Sequence, residues 1–189
     1  KFKIIQKHNY SKKNYNITGF LDLTNSDFKI SKLNYQKNLG KKAELSFDGD
    51  FSLKKYYNIN QLKFLAGESK VNLENVKLNQ DFETTDLKRI EVKTFIDQVK
   101  NNDFLVNKSD QILIEGEVFD SKPFLKSIYT RQDRKTFDKN FASDIKVDFK
   151  KILTGTTDEI SNFAMIGSIS KGSYDKLSAK GNFSNEEII

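Results

Sequence analysis

Between Ala43 and Leu53 the chain alternates without a fault. Ala43, Leu45, Phe47, Gly49, Phe51 and Leu53 fall on one side, and Glu44, Ser46, Asp48, Asp50 and Ser52 on the other. A period of two places successive side chains on opposite faces, so this stretch is a strand with one apolar and one wet face. Such strands belong to antiparallel sheets, because parallel strands are covered on both sides and read as continuous apolar runs. The pattern recurs at Tyr15–Leu23, Tyr57–Ala66, Val71–Leu78, Leu87–Ile96, Ile112–Phe119, Ile145–Phe149 and Leu177–Phe183, with Phe163–Ile169 apolar on both sides. Roughly ten strands joined by short turns predict a mainly β fold, an antiparallel meander running the length of residues 1–189. Register slips are expected near Ser31-Lys32, Asn60 and Glu74-Asn75, where the apolar positions change parity. Asn101-Asn102 reads as a turn, followed by a short strand at Phe104–Val106. Glycine recurs inside the strands at Gly19, Gly49, Gly116 and Gly181. Ordinary bulges and a deliberately curved sheet explain it equally well.

One stretch departs from strand. Ile112, Ile114, Gly116 and Val118 alternate with Leu113, Glu115, Glu117 and Phe119, and then Asp120-Ser121 supplies turn chemistry. Pro123 suits a first helical turn, where its missing N–H costs nothing. A single short helix over about 123–129 follows, with Phe124, Leu125 and Ile128 on one face, placed to cover part of the sheet. Arg131–Lys139 has no period and reads as a loop.

The residues that could do chemistry are few. There is no cysteine and one histidine, His8, so thiolate catalysis, a disulfide framework and a Ser-His-Asp arrangement are all without support. Asp48 and Asp50 share a strand face, but Glu44, Ser46 and Ser52 share it too, which makes it a solvated surface. Asp86, Glu91 and Asp97 lack the spacing of a calcium loop, and no glycine-rich phosphate loop occurs. No enzyme activity, metal or cofactor is expected. The net charge of +6 raises nucleic acid as a partner. The lysines are scattered among Asp and Glu, however, and arginine occurs only at 89, 131 and 134, so no nucleic-acid surface is expected. No apolar run approaches the roughly 18 residues of a membrane span. Without an initial Met or a signal-like start, the chain reads as a piece of a longer protein.

The apolar face itself remains to be explained. Each fully buried Leu, Ile or Phe side chain is worth roughly 1.5–3 kcal/mol, so leaving one strand's set in water forfeits on the order of a domain's net stability. A second sheet, the far wall of a curved sheet or an apolar ligand must cover it.

The segment Gly116-Glu117-Val118-Phe119-Asp120-Ser121-Lys122-Pro123-Phe124-Leu125 resembles the Gly-x-(apolar)-(apolar)-Asp-x-(Arg/Lys)-Pro-(apolar)-Leu signature of bacterial AsmA-like proteins, in particular the YhdP-like (DUF3971) branch. The stretches Ala142–Asp148, Phe163–Gly167 and Leu177–Gly181 are similar to that family's next strands, so the resemblance covers about Gln111–Phe183. It implies a long curved sheet, taco-shaped in section, with an apolar β-groove that carries phospholipid passively across the periplasm to the outer membrane. The inner-membrane anchor would lie outside this segment. The acyl chains would contact Leu45, Phe47, Phe51, Leu53, Ile112, Ile114, Val118, Ile145, Val147, Phe149, Leu177, Ala179 and Phe183. Two other classes fit the same alternation: a closed-core sandwich or solenoid that binds protein or sugar, and a β-taco of the lipopolysaccharide-bridge type.

Overall fold

A computed structural model describes residues 2–9, 14–52, 56–130, 137–155 and 158–183, without the side chains of Asn9 and residues 127–130. It is mainly β, with one 12-stranded sheet, a separate two-stranded sheet and one short helix. In sequence the strands are β1 (Phe2–Asn9), β2 (Asn14–Asp22), β3 (Phe28–Ile30), β4 (Tyr35–Lys37), β5 (Glu44–Ser52), β6 (Tyr56–Ala66) and β7 (Ser69–Leu78). They continue as β8 (Thr84–Asp86), β9 (Arg89–Ile96), β10 (Val99–Lys108), β11 (Ile112–Asp120), β12 (Ser143–Leu153), β13 (Glu159–Ser170) and β14 (Ser173–Phe183). The helix α1 spans Lys122–Thr130 and sits between β11 and β12. Along the large sheet the order is β1-β2-β5-β6-β7-β9-β10-β11-β12-β13-β14, with β8 pairing β7. The expected meander is therefore present, with sequential neighbours nearly throughout.

Two details differ from the sequence reading. β11 and β12 pair in parallel, so the sheet is mixed. The connection through α1 must carry the chain from the end of β11 back to the level where β11 began. Asn101 and Asn102 are not a turn but lie inside the ten-residue β10 and are buried. The reversal is at Asp97-Gln98 instead, both with positive φ (48° and 67°).

The register slips fall where parity changes. β5 and β6 shift between Asp48 and Gly49, passing over Asn60, and Asn75 opposite it has φ 50°. At Ser31–Leu33 the break is a 3-10 turn rather than a bulge, closed by Asn34 in the left-handed region (φ 48°). It turns β3 back on β4 to make the small sheet.

The large sheet is curved. Asp138 N donates to Thr84 O beside β8, while Gly172 N at the β13–β14 turn donates to Phe141 O. Residues 138–141 form a turn closed by Phe141 N donating to Asp138 O, so they span less than about 7 Å, to which the two bonds add about 3 Å each. Four strand spacings on a flat sheet come to about 19 Å. The two edges of this section must therefore bend toward each other, with the apolar side inward. Gly116 shows how tightly that side is packed: a Cβ there would lie 2.5 Å from Asp103 O and 2.6 Å from both Phe104 Cβ and Phe149 Cε1.

Candidate functional site

Following the registers strand by strand gives one row across the whole sheet. It runs Ile4, Gly19, Phe47, Leu62, Leu73, Ile90, Val106, Ile114, Val147, Met165 and Ala179. Every member is apolar or glycine. The next row, Phe2, Leu21, Leu45, Phe64, Val71, Val92, Phe104, Gly116, Phe149 and Phe163, is the same. One residue out of step, the outer row reads Ile5, Thr18, Asp48, Gln61, Glu74, Arg89, Asn107, Leu113, Lys146, Ile166 and Ser178. Alternation within single strands has thus been aligned into a continuous apolar inner face and a largely polar outer face.

That inner face is not uniformly open. Phe2 and Ile4 on β1 are 74% and 54% exposed, and Leu177 and Phe183 on β14 are 54% and 64% exposed. Between them the chain covers itself twice. The first cover is the excursion 23–43, which places Tyr35, Ala43, Phe28, Ile30 and Leu33 on Phe64, Val71 and Val92. The second is the segment after α1, where Phe137 and Phe141 join a cluster with Val76, Val106, Ile145, Val147 and Phe149.

Among the expected lining residues, Leu45, Phe47, Phe51 and Ile114 are half-buried on the inner face, and Ala179 is exposed there. Ile112, Ile145, Val147 and Phe149 are buried by the protein itself. Leu53 lies outside the described residues. Val118 leaves the set: β10 and β11 slip register between Asp103 and Phe104, so Val118 stands beside Asp103 and Lys151 and joins neither apolar cluster. Phe119 takes its place, packing on Phe104 at 5.7 Å and on Phe149 at 5.5 Å. The described part of the helix stripe gives the sheet little cover. Phe124 is 49% exposed, Leu125 is half-buried and joins neither cluster, and the side chain of Ile128 is not described. α1 touches the 3-10 turn, and the excursion it touches is the actual cover.

The polar chemistry missed in the sequence is a buried network at the lower end of β9–β11. Asn102 Nδ2 donates to Thr94 Oγ1 (2.9 Å) and to Leu33 O (2.8 Å), and Asn101 Nδ2 donates to Leu33 O (3.1 Å). Thr94 Oγ1 donates to Asn101 Oδ1 (2.8 Å), and Asp120 N donates to Asn102 Oδ1 (3.0 Å). Asp120 accepts from Asn34 Nδ2 (2.8 Å) and from Lys122 N (3.2 Å). The Asp of the strand-to-helix signature thereby ties three elements together. A backbone carbonyl needing donors deep in a core accounts for two consecutive asparagines on a strand.

On the outer face Asp48 and Asp50 share two amides: Asn60 Nδ2 donates to both at 2.9 Å, and Asn16 Nδ2 to both at 3.3 Å. The bond from Asn60, followed by those from Thr18 and Asn16, holds the Asp48 carboxyl below its ordinary range despite partial burial. His8 stacks on Tyr15 with ring centroids 4.3 Å apart. Among the described residues no group of three or more His, Cys, Asp or Glu is placed to hold a metal ion. No described helix is long and apolar enough to cross a membrane. Comparison with protein-family models, curated proteins and solved structures finds no match, so the site is read from its own geometry.

Proposed function

We propose that this chain is a section of a lipid-carrying sheet, in which phospholipid acyl chains lie on the inner face while head groups stay in water. The observation that carries this reading is the unbroken apolar row from Ile4 to Ala179, left uncovered at both ends. Neighbouring apolar side chains left exposed at those ends, Phe2 and Ile4 on β1 and Leu177 and Phe183 on β14, are the kind of patch that marks a binding surface. Rows without a polar foothold favour sliding over fixed binding, which suits passive transfer. The resemblance at Gly116–Leu125 adds the setting: a periplasmic section of an AsmA-like protein, anchored in the inner membrane and passing lipid toward the outer membrane through parts of the chain beyond it.

A closed-core module that binds protein or sugar is the second reading. It is favoured by Val106 and Val147, 8% and 6% exposed, which the chain itself has already buried. Photo-crosslinkers at Ile4, Phe47 and Asp48, followed by mass spectrometry of captured lipid, separate the two. Lipid is expected at Ile4 and Phe47 and not at Asp48, whose side chain is on the outer face. Equal labelling at all three, or none at the inner positions, returns the chain to the closed-core reading.

A further inference from the structure

The excursion 23–43 has the parts of a lid. It forms its own two-stranded sheet and shares no strand pairing with the sheet beneath it. Its two ends are pinned side by side, Leu23 N donating to Ala43 O and Gly40 N to Thr24 O, which leaves a narrow neck. Internally it is knotted by Lys37, whose ammonium donates to the carbonyls of Leu23 (2.6 Å), Thr24 (2.8 Å) and Ser26 (2.5 Å). A compact body on a two-strand neck can move as a unit.

The tip is attached differently. Leu33 O and Asn34 Nδ2 bond only to side chains of the floor: Asn101 and Asn102 on one side, Asp120 on the other. No backbone–backbone bond joins residues 28–37 to the large sheet among the described residues. Side-chain bonds break one at a time, whereas a paired strand must unzip. Beneath the tip lie Phe64, Val71 and Val92, members of the second apolar row.

We propose that residues 23–43 are a hinged lid over the inner face, latched by Asp120, Asn101 and Asn102, whose opening adds Phe64, Val71 and Val92 to the acyl-binding surface. This regulation rests on the lipid-groove reading, but the motion of the lid can be measured without lipid. Asp120 is a positioning residue: it holds the lid through Asn34 and touches no ligand.

Asn34→Gly tests the latch, since glycine accepts φ 48° while the bond to Asp120 is lost. In hydroxyl-radical footprinting on the full chain, the side chains of Tyr35, Phe64, Val71 and Val92, all buried beneath or in the lid, are expected to be oxidised about tenfold faster, with Val147 and Phe149 of β12 unchanged. Uniform acceleration across all strands, or none, overturns the lid. The absence of cysteine allows a second variant, Asn34→Cys with Asp120→Cys bridged through a single methylene by diiodomethane. It is expected to slow oxidation of Tyr35, Phe64, Val71 and Val92 and to reduce lipid capture by a photo-crosslinker at Val71, leaving capture at Ile4 intact. Bridging without any slowing overturns the lid even if lipid is present. Slowing with no lipid captured anywhere supports the lid and counts against the groove alone.

Discussion

Phe149→Ala is expected to lower the unfolding free energy by about 3–5 kcal/mol, read as a shift of the urea midpoint at constant slope. The ring is 6% exposed and closes a triangle with Phe104 (5.9 Å) and Phe119 (5.5 Å). It also occupies the space that Gly116 leaves empty on the neighbouring parallel strand. Truncation would open a cavity walled by two rings and a β-strand backbone, none of which can collapse without breaking the β10–β11–β12 pairing. Phe183→Ala, on the exposed edge strand at 64% exposure, serves as the control and should stay within about 0.5 kcal/mol. A loss below about 1 kcal/mol at Phe149 would mean that the curved section is loosely packed.

Lys37→Met is expected to cost about 3 kcal/mol and to act through the lid. Methionine replaces the aliphatic stem but supplies none of the three hydrogen bonds. The carbonyls of Leu23, Thr24 and Ser26 would then lose a donor in a site where Lys37 itself is 1% exposed. Burying an ammonium without a carboxylate partner is costly, and two effects compete here. The geometry favours the lysine, because an ammonium has three protons and three carbonyls lie at 2.5–2.8 Å. A neutral or stabilising result in denaturation would show that desolvation outweighs the knot.

The parts of the fold legible in the sequence are those where side-chain period alone decides. Ala43–Ser52 alternates because one face meets an apolar interior and the other meets water, and β5 has that orientation. The slips at Asn60 and Asn75 were legible because a bulge changes parity, which the order of apolar and polar residues records directly. The asparagines at 101 and 102 misled, since local turn chemistry and the buried satisfaction of a distant carbonyl use the same side chain. Only the tertiary position of Leu33 O distinguishes the two. Val118 and Phe119 exchanged faces for a similar reason: the slip that flips them occurs against β10, which carries no parity signal of its own at Asp103. The lid was invisible because three-residue strands at 28–30 and 35–37 alternate too briefly to show which sheet they leave.

The parallel pairing of β11 with β12 has a consequence for how the protein assembles. The pairs β1–β2, β5–β6, β6–β7, β9–β10, β10–β11, β12–β13 and β13–β14 are each separated by five residues or fewer in sequence. Such hairpins close within microseconds because little chain has to be organised. The β11–β12 seam instead waits for residues 121–142 to be threaded back along the strand and for Phe137 to meet Thr84. Four hairpin sets, β1–β2, β5–β7, β9–β11 and β12–β14, therefore form early, and the β11–β12 seam, the one parallel joint among them, closes late. Inserting about twenty Gly/Ser residues between α1 and Phe137 doubles that connection and should slow folding about threefold in stopped-flow measurements, with the unfolding rate unchanged. A faster unfolding rate in place of slower folding would put the closure after the barrier. With the expected outcome, the speed at which the sheet becomes whole is set by the length of one crossover and not by the stability of any strand.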